Sequence, residues 1–251
     1  MIAALPDPAA MAFVLAGALV AGFTTGFAGF GTGLVASGLW FHALPAPMVP
    51  PLVALASVAA QLMGLVAIRR SFEWRRARPF LIGGVIGLPF GVLVLGLASP
   101  ELLKLTVGAF LAVYAAGHLL GLARMNIGNW GGQPADGAIG VAGGWLGGFA
   151  GLSGALPLVW LQMRGGPSAQ QRATYQPFNL IVLSLASLGM AATGSLDQEV
   201  ATIALLCLPA TLGGAWLGVR LYSAVDDTLF RRVVLLLLLV SGVFLVLQSA
   251  L

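Results

Sequence analysis

Backbone donors and hydroxyls are concentrated in two glycine-rich stretches of this 251-residue chain. The first reads Gly22-Phe-Thr-Thr-Gly-Phe-Ala-Gly-Phe-Gly-Thr-Gly33, the second Gly147-Gly-Phe-Ala-Gly-Leu-Ser-Gly154. Gly26-Phe-Ala-Gly29 matches Gly148-Phe-Ala-Gly151 residue for residue, 122 positions apart. Both stretches lie inside apolar segments, where each Gly weakens a helix by roughly 1 kcal/mol against Ala. A helix broken there presents N–H groups and the positive end of its dipole, a combination that holds anions. The candidate ligands are Thr25, Gly26, Gly29, Gly31, Thr32 and Gly33 in the first stretch, and Gly148, Gly151, Ser153 and Gly154 in the second. Glycine lets an oxyanion reach the backbone, and the hydroxyls add donors. The competing reading is that these glycines only permit close helix packing. Two copies at corresponding places favour the site, because paired interruptions in the two halves of a membrane chain point to a binding site.

Further polar residues lie on neighbouring segments. Ser57 and Gln61 are four apart and share a helix face, and Gln176 and Asn179 are three apart on the equivalent segment of the second half. Amides are costly in lipid and turn inward, either to bond a neighbouring helix or to touch a substrate. His42 is a candidate for ion coupling, weighed against a packing role. No carboxylate falls in the middle of a span, and there is no nucleophile–base pair, metal-ligand spacing or phosphate-binding lysine loop. An enzyme, an ATPase, a metal site and a cofactor are therefore not expected. Cys207 stands alone, so it forms no internal disulfide.

The elements that carry these residues belong to a membrane. Apolar residues make up 59% of the chain and charged residues 8%, with a mean hydropathy of +0.99. Soluble domains carry about 25% charge, so this chain has too little polar surface to face water. The net charge of +4 does not signal nucleic acid, because the arginines sit in short loops between apolar runs. The pattern predicts a single all-α, polytopic membrane domain: an N-terminal repeat over 1–123, a linker over 124–136 and a C-terminal repeat over 137–251. Each repeat is a glycine-broken, re-entrant segment plus three transmembrane helices. Trp40, Trp74, Trp130 and Trp145 are expected in interfacial belts.

Charge orients the repeats. If every apolar segment crosses once, the twelve basic residues split evenly between the two faces. If each glycine-broken segment instead returns to the side it entered, the second repeat is inverted. All eleven arginines then share the cytoplasmic face, leaving Lys104 alone on the other. The arms Ile139–Ala150 and Gly154–Met163 would then be ~15–18 Å long at 1.5 Å per residue, about half the hydrocarbon thickness. Whether the first segment is re-entrant or two thin spans stays open, as does homo-oligomerisation.

The order of these motifs resembles the sulfite exporter TauE/SafE family, also called the toluene-sulfonate uptake permease family. The resemblance is carried by Gly26-Phe-Ala-Gly-Phe-Gly31, Gly148-Phe-Ala-Gly-Leu-Ser-Gly154 and Gln171-Arg-Ala-Thr-Tyr-Gln-Pro-Phe-Asn179. It implies a multi-pass protein of the inner membrane that moves a small sulfur-containing anion, often outward. A passive anion channel and a non-transporting assembly factor are the alternatives.

Overall fold

Every long apolar run becomes helix, since in lipid a backbone must satisfy its own hydrogen bonds. The computed structural model describes residues 7–68, 74–122, 125–221 and 227–250, and these form ten α-helices and no strand.

The first glycine stretch is a hairpin. Its arms are α1 (Pro8–Ala28) and α2 (Thr32–Trp40). Gly29 ends α1 at φ 80° and Gly31 precedes α2 at φ 106°, both in the left-handed region. A Cβ there costs roughly 1–2 kcal/mol, so glycine makes the turn possible. The arms are antiparallel: Thr32 lies against Thr25 and Ala21, whereas Trp40 at the far end of α2 donates its indole N–H to Val14 O at 3.0 Å. The second stretch repeats the design with α6 (Gly132–Ala150) and α7 (Ala155–Arg164). Gly151 turns the chain at φ 73°. Near the open end Trp160 Nε1 donates to Asp136 Oδ1 at 2.8 Å, and Arg164 pairs with the same carboxylate at 3.2 Å. Both segments therefore return on themselves.

The arms are unequal, which the half-thickness expectation did not foresee. α2 and α7 have 9 and 10 residues, but α1 and α6 have 21 and 19, ~30 Å at 1.5 Å per residue. α6 begins at Gly132, inside the segment expected to be a linker, and α4 spans Trp74–Leu97. Packing explains the extra turns. Gly83, Gly87 and Gly91 of α4 face the carbonyls of Gly137, Val141 and Trp145 in rising order, so α4 and α6 run parallel in backbone contact. A Cβ on any of the three would overlap a carbonyl of α6. This is the close small-residue packing expected between helices in lipid.

The remaining helices are α3 (Val49–Ile68), entered through one 3-10 turn at Ala46–Met48, α5 (Pro100–Leu119), α8 (Ser168–Ala192), α9 (Gln198–Leu221) and α10 (Asp227–Ala250). Among the described residues, six helices are long and apolar enough to cross a membrane: α1, α3, α4, α5, α8 and α9. The chain is a multi-pass membrane protein.

The packing recurs when the first five helices are exchanged for the last five. α1 packs on α9 as α6 packs on α4, α3 meets α9 as α8 meets α4, and α3·α8 and α5·α10 join equivalent helices. α1 and α9 are parallel, with Gly22 at Thr211 and Gly26 at Ala215. α5 and α10 are antiparallel: Gly108 reaches Leu245 and Val246, whereas Ala112, one turn on, meets Gly242. Of the charges that oriented the chain, Arg69, Arg70 and Arg124 lie outside the described residues.

One expectation is corrected. Trp40 is not in an interfacial belt but is fully buried, at 0% exposure, because its ring closes the open end of the first hairpin. Trp74 and Trp130 are exposed as a belt requires, and Trp145 stacks half-buried on Phe149 at 5.1 Å.

Candidate functional site

Each turn leaves two helix ends close together, with opposite partial charge. The carbonyl end of the long arm is negative and the N–H end of the short arm is positive. What faces the interior depends on which end finds partners.

At the first turn the carbonyl end is covered by α8. Arg172 Nη2 donates to Phe27 O at 3.2 Å, the Tyr175 hydroxyl to Ala28 O at 3.3 Å and Gln176 Nε2 to Gly29 O at 3.0 Å. Three consecutive carbonyls thus take three side-chain donors, spaced i, i+3, i+4 on one helix face. At the second turn the backbone closes itself, with Gly151 N–H on Gly147 O and Leu152 N–H on Leu146 O, at 3.0 and 3.2 Å. The Gly151 bond is the 5→1 bond of a glycine helix stop, and Gly29 N–H makes the same bond to Thr25 O at the first turn. The residues 122 positions before Arg172, Tyr175 and Gln176 are Pro50, Val53 and Ala54, and they touch Gly151 in the same way with no side-chain donor. The two turns are alike in shape and different in chemistry.

The N–H ends of α2 and α7 remain. Their N-cap residues are Gly31 and Gly154, which bring no side chain of their own. One N–H of each first turn is already taken, Thr32 N–H by Thr25 Oγ1 and Ala155 N–H by Leu152 O. Both ends face one cleft, lined by Phe30, Gly31, Thr32, Gly33 and Leu34 from the first hairpin and Gly151, Leu152, Gly154 and Ala155 from the second. Ser57 and Gln61 of α3 and Asn179 and Leu183 of α8 complete it. Ser57 and Asn179 are themselves 122 positions apart, so the cleft lies between corresponding parts of the two halves. It is narrow, about 30 Å³. At ~10–15 Å³ per water, that suits two waters or one small ion. The two turns nearly touch, and a Cβ on Gly33 would crowd Gly151 O.

Ser57 and Gln61 are 2% and 3% exposed, and Ser57 Oγ and Gln61 Oε1 have no hydrogen-bond partner. A buried polar atom left alone costs ~1–3 kcal/mol, so two of them beside a cleft mark a place for a polar guest. Asn179 is partly engaged, since its Oδ1 accepts from Ser153 Oγ at 2.6 Å. Gly154 lies so close to this amide that a Cβ would collide with it.

The fold brings ten of the sequence-derived candidates to the cleft or its wall: Gly31, Thr32, Gly33, Ser57, Gln61, Gly151, Gly154 and Asn179 line it, Ser153 binds Asn179, and Thr25 sits behind Thr32. Thr25 serves the hairpin, for its Oγ1 accepts the Thr32 N–H at 2.8 Å and is bonded to the Thr32 hydroxyl. Gly26 and Gly148 lie elsewhere, at the contacts of α1 with α9 and of α6 with α4. Gly29 is under Gln176, and Gln176 itself faces the α1 carbonyl end. His42 is remote from the cleft, at the open end of the first hairpin. Its Nε2 is 2.8 Å from Ser241 Oγ, and that hydroxyl bonds Gly38 O.

Sequence reasoning passed over Arg172 and Tyr175. The signal was present as the spacing of Arg172, Tyr175 and Gln176 on one face. Their partners, however, are carbonyls, which have no side-chain signature. Among the described residues no group of His, Cys, Asp and Glu is placed to hold a metal. A protein-family model described as sulfite exporter TauE/SafE matches residues 14–245, nearly the whole chain. No curated protein and no solved structure matches it.

Proposed function

We propose, from the premise that the chain belongs to the sulfite exporter TauE/SafE family, that it carries a small sulfur oxyanion outward across the cell's inner membrane and binds it in the cleft between the hairpins. Membership makes the chain a membrane transporter. The observation that carries the site is the convergence of two helix N-termini with glycine N-caps on one cleft beside the unpartnered Ser57 Oγ and Gln61 Oε1. N–H groups and dipoles so aimed favour an anion's oxygens, and in a low dielectric the attraction is stronger than in water.

The reciprocal packing and the antiparallel α5·α10 pair support two repeats of opposite orientation, with the cleft on the pseudo-twofold axis. Binding sites of such transporters lie between their repeats, and access alternates as one repeat rocks against the other. A cleft of about 30 Å³ also favours a carrier over an open channel. Nothing in the site suggests an enzyme, since its ligands are backbone N–H groups, amides and hydroxyls without a general base. The decisive experiment loads purified protein in liposomes with hydrogen sulfite and follows efflux. Ser57→Leu, which fills the cleft, should reduce the rate at least tenfold (~1.4 kcal/mol), whereas Leu205→Ala on the exposed face of α9 should not. Equal rates for all three proteins would remove the cleft from the pathway.

A further inference from the structure

Resting on the reading of the cleft as the anion site, its charge can be counted. α2 and α7 each bring the positive end of a helix, roughly half an elementary charge apiece. No Lys, Arg, His, Asp or Glu lines the cleft. Arg172 is near the first turn, but its guanidinium faces Phe27 O, on the negative end of α1. Three carbonyls at the end of α1 take donors from α8, and Gly147 O and Leu146 O near the end of α6 take backbone N–H groups. Together the two N-terminal ends bring on the order of one positive charge to the cleft.

We infer that the cleft selects singly charged oxyanions, hydrogen sulfite or a small sulfonate, over the dianions sulfite, sulfate and thiosulfate. A monoanion is matched by the two helix ends. A dianion brings a second charge for which the lining holds no partner, and an unpaired charge out of water is costly. The unpartnered oxygens point the same way. Gln61 Oε1 is an acceptor and Ser57 Oγ can accept or donate, and both are buried beside the N–H ends. Hydrogen sulfite has the one proton that such an acceptor takes, whereas sulfate and a sulfonate at neutral pH have none. This contact therefore singles out hydrogen sulfite, and the charge match alone admits the sulfonate.

Substrate choice would then follow pH. For sulfite, the bound form disappears as pH rises through the second ionisation of sulfurous acid, so apparent affinity falls about tenfold per unit beyond it, by proton linkage. Methanesulfonate is a monoanion throughout, so its affinity stays level.

Titration calorimetry on the purified full chain tests this with sodium sulfite, methanesulfonate and sulfate, each from mildly acidic to mildly alkaline pH. Expected are a flat profile for methanesulfonate, a falling one for sulfite, and sulfate at least about tenfold weaker than methanesulfonate, for want of a partner to its second charge. Sulfate binding as tightly as methanesulfonate, or sulfite affinity level through its ionisation, would overturn the charge selection and leave the anion site standing. Binding of none of the three would remove the anion site, and the inference with it.

Discussion

The side-chain amide of Gln176 in α8 donates to the carbonyl of Gly29, 3.0 Å away at the turn of the first hairpin. With Arg172 and Tyr175 it covers the negative end of α1, so that the positive end of α2 is the one facing the cleft. Gln176 therefore positions the turn, while Asn179, three residues on, lines the cleft itself. Gln176→Ala should lower stability by about 1–2 kcal/mol, the worth of a buried hydrogen bond whose acceptor is left alone. Asn179→Ala should weaken methanesulfonate binding more than it lowers the melting temperature. Melting and binding titrations of both variants separate the roles, and identical profiles would show that the two amides do one job.

Gly29 and Gly194 share a left-handed backbone, at φ 80° and 79°, but not their surroundings. A Cβ on Gly29 would press on Gln176, Tyr175 and Arg172, whereas around Gly194 the space is open. Gly194→Ala should cost only the backbone strain, roughly 1–2 kcal/mol. Gly29→Ala should cost more and reduce efflux as well. Thermal melting in detergent beside a liposome flux assay checks both, and equal melting temperatures would mean that the Gly29 turn yields freely.

On the inverted-repeat reading, the hairpin turns set the parity of the chain. Cysteines placed at Ser99, between α4 and α5, and at Ser195, between α8 and α9, should both react with an impermeant maleimide added outside. One at Gly166, between α7 and α8, should react only after permeabilisation. Labelling of Ser99 and Ser195 from opposite faces would mean that the glycine segments pass through after all.

Efflux should respond to voltage and need no cation gradient. The cleft has no acid to bind a proton or sodium ion, and His42 is tied to Ser241 away from it. A monoanion leaving an inside-negative compartment gains ~2.3 kcal/mol per 100 mV, which sustains about a fiftyfold outward gradient at 1.36 kcal/mol per factor of ten. In liposomes loaded with methanesulfonate, a valinomycin-set potential should accelerate efflux with protons and sodium equal on both sides, and His42→Ala should behave as the parent chain does. Efflux that stops without a proton or sodium gradient would contradict this.

What the sequence determined by itself is what local composition can carry. Hydropathy placed the chain in a membrane and set most helix boundaries, because in lipid each helix satisfies its own backbone and needs no partner to exist. The glycine pairs marked both turns for a related reason: the left-handed conformations at Gly29, Gly31 and Gly151 are properties of single residues. Long-range pairing decided the rest. That Gly26 and Gly148 are packing residues depends on α9 and α4, which no feature of the glycine stretches identifies. Trp40 reads as interfacial until α2 folds back on α1 and buries it. Arg172, Tyr175 and Gln176 find their acceptors about 147 positions away, on carbonyls that every residue possesses. The convergence of the α2 and α7 N-termini on one cleft likewise required both hairpins to be docked between α3 and α8, and docking is decided by side-chain shape across the bundle rather than by the order of residues along one helix.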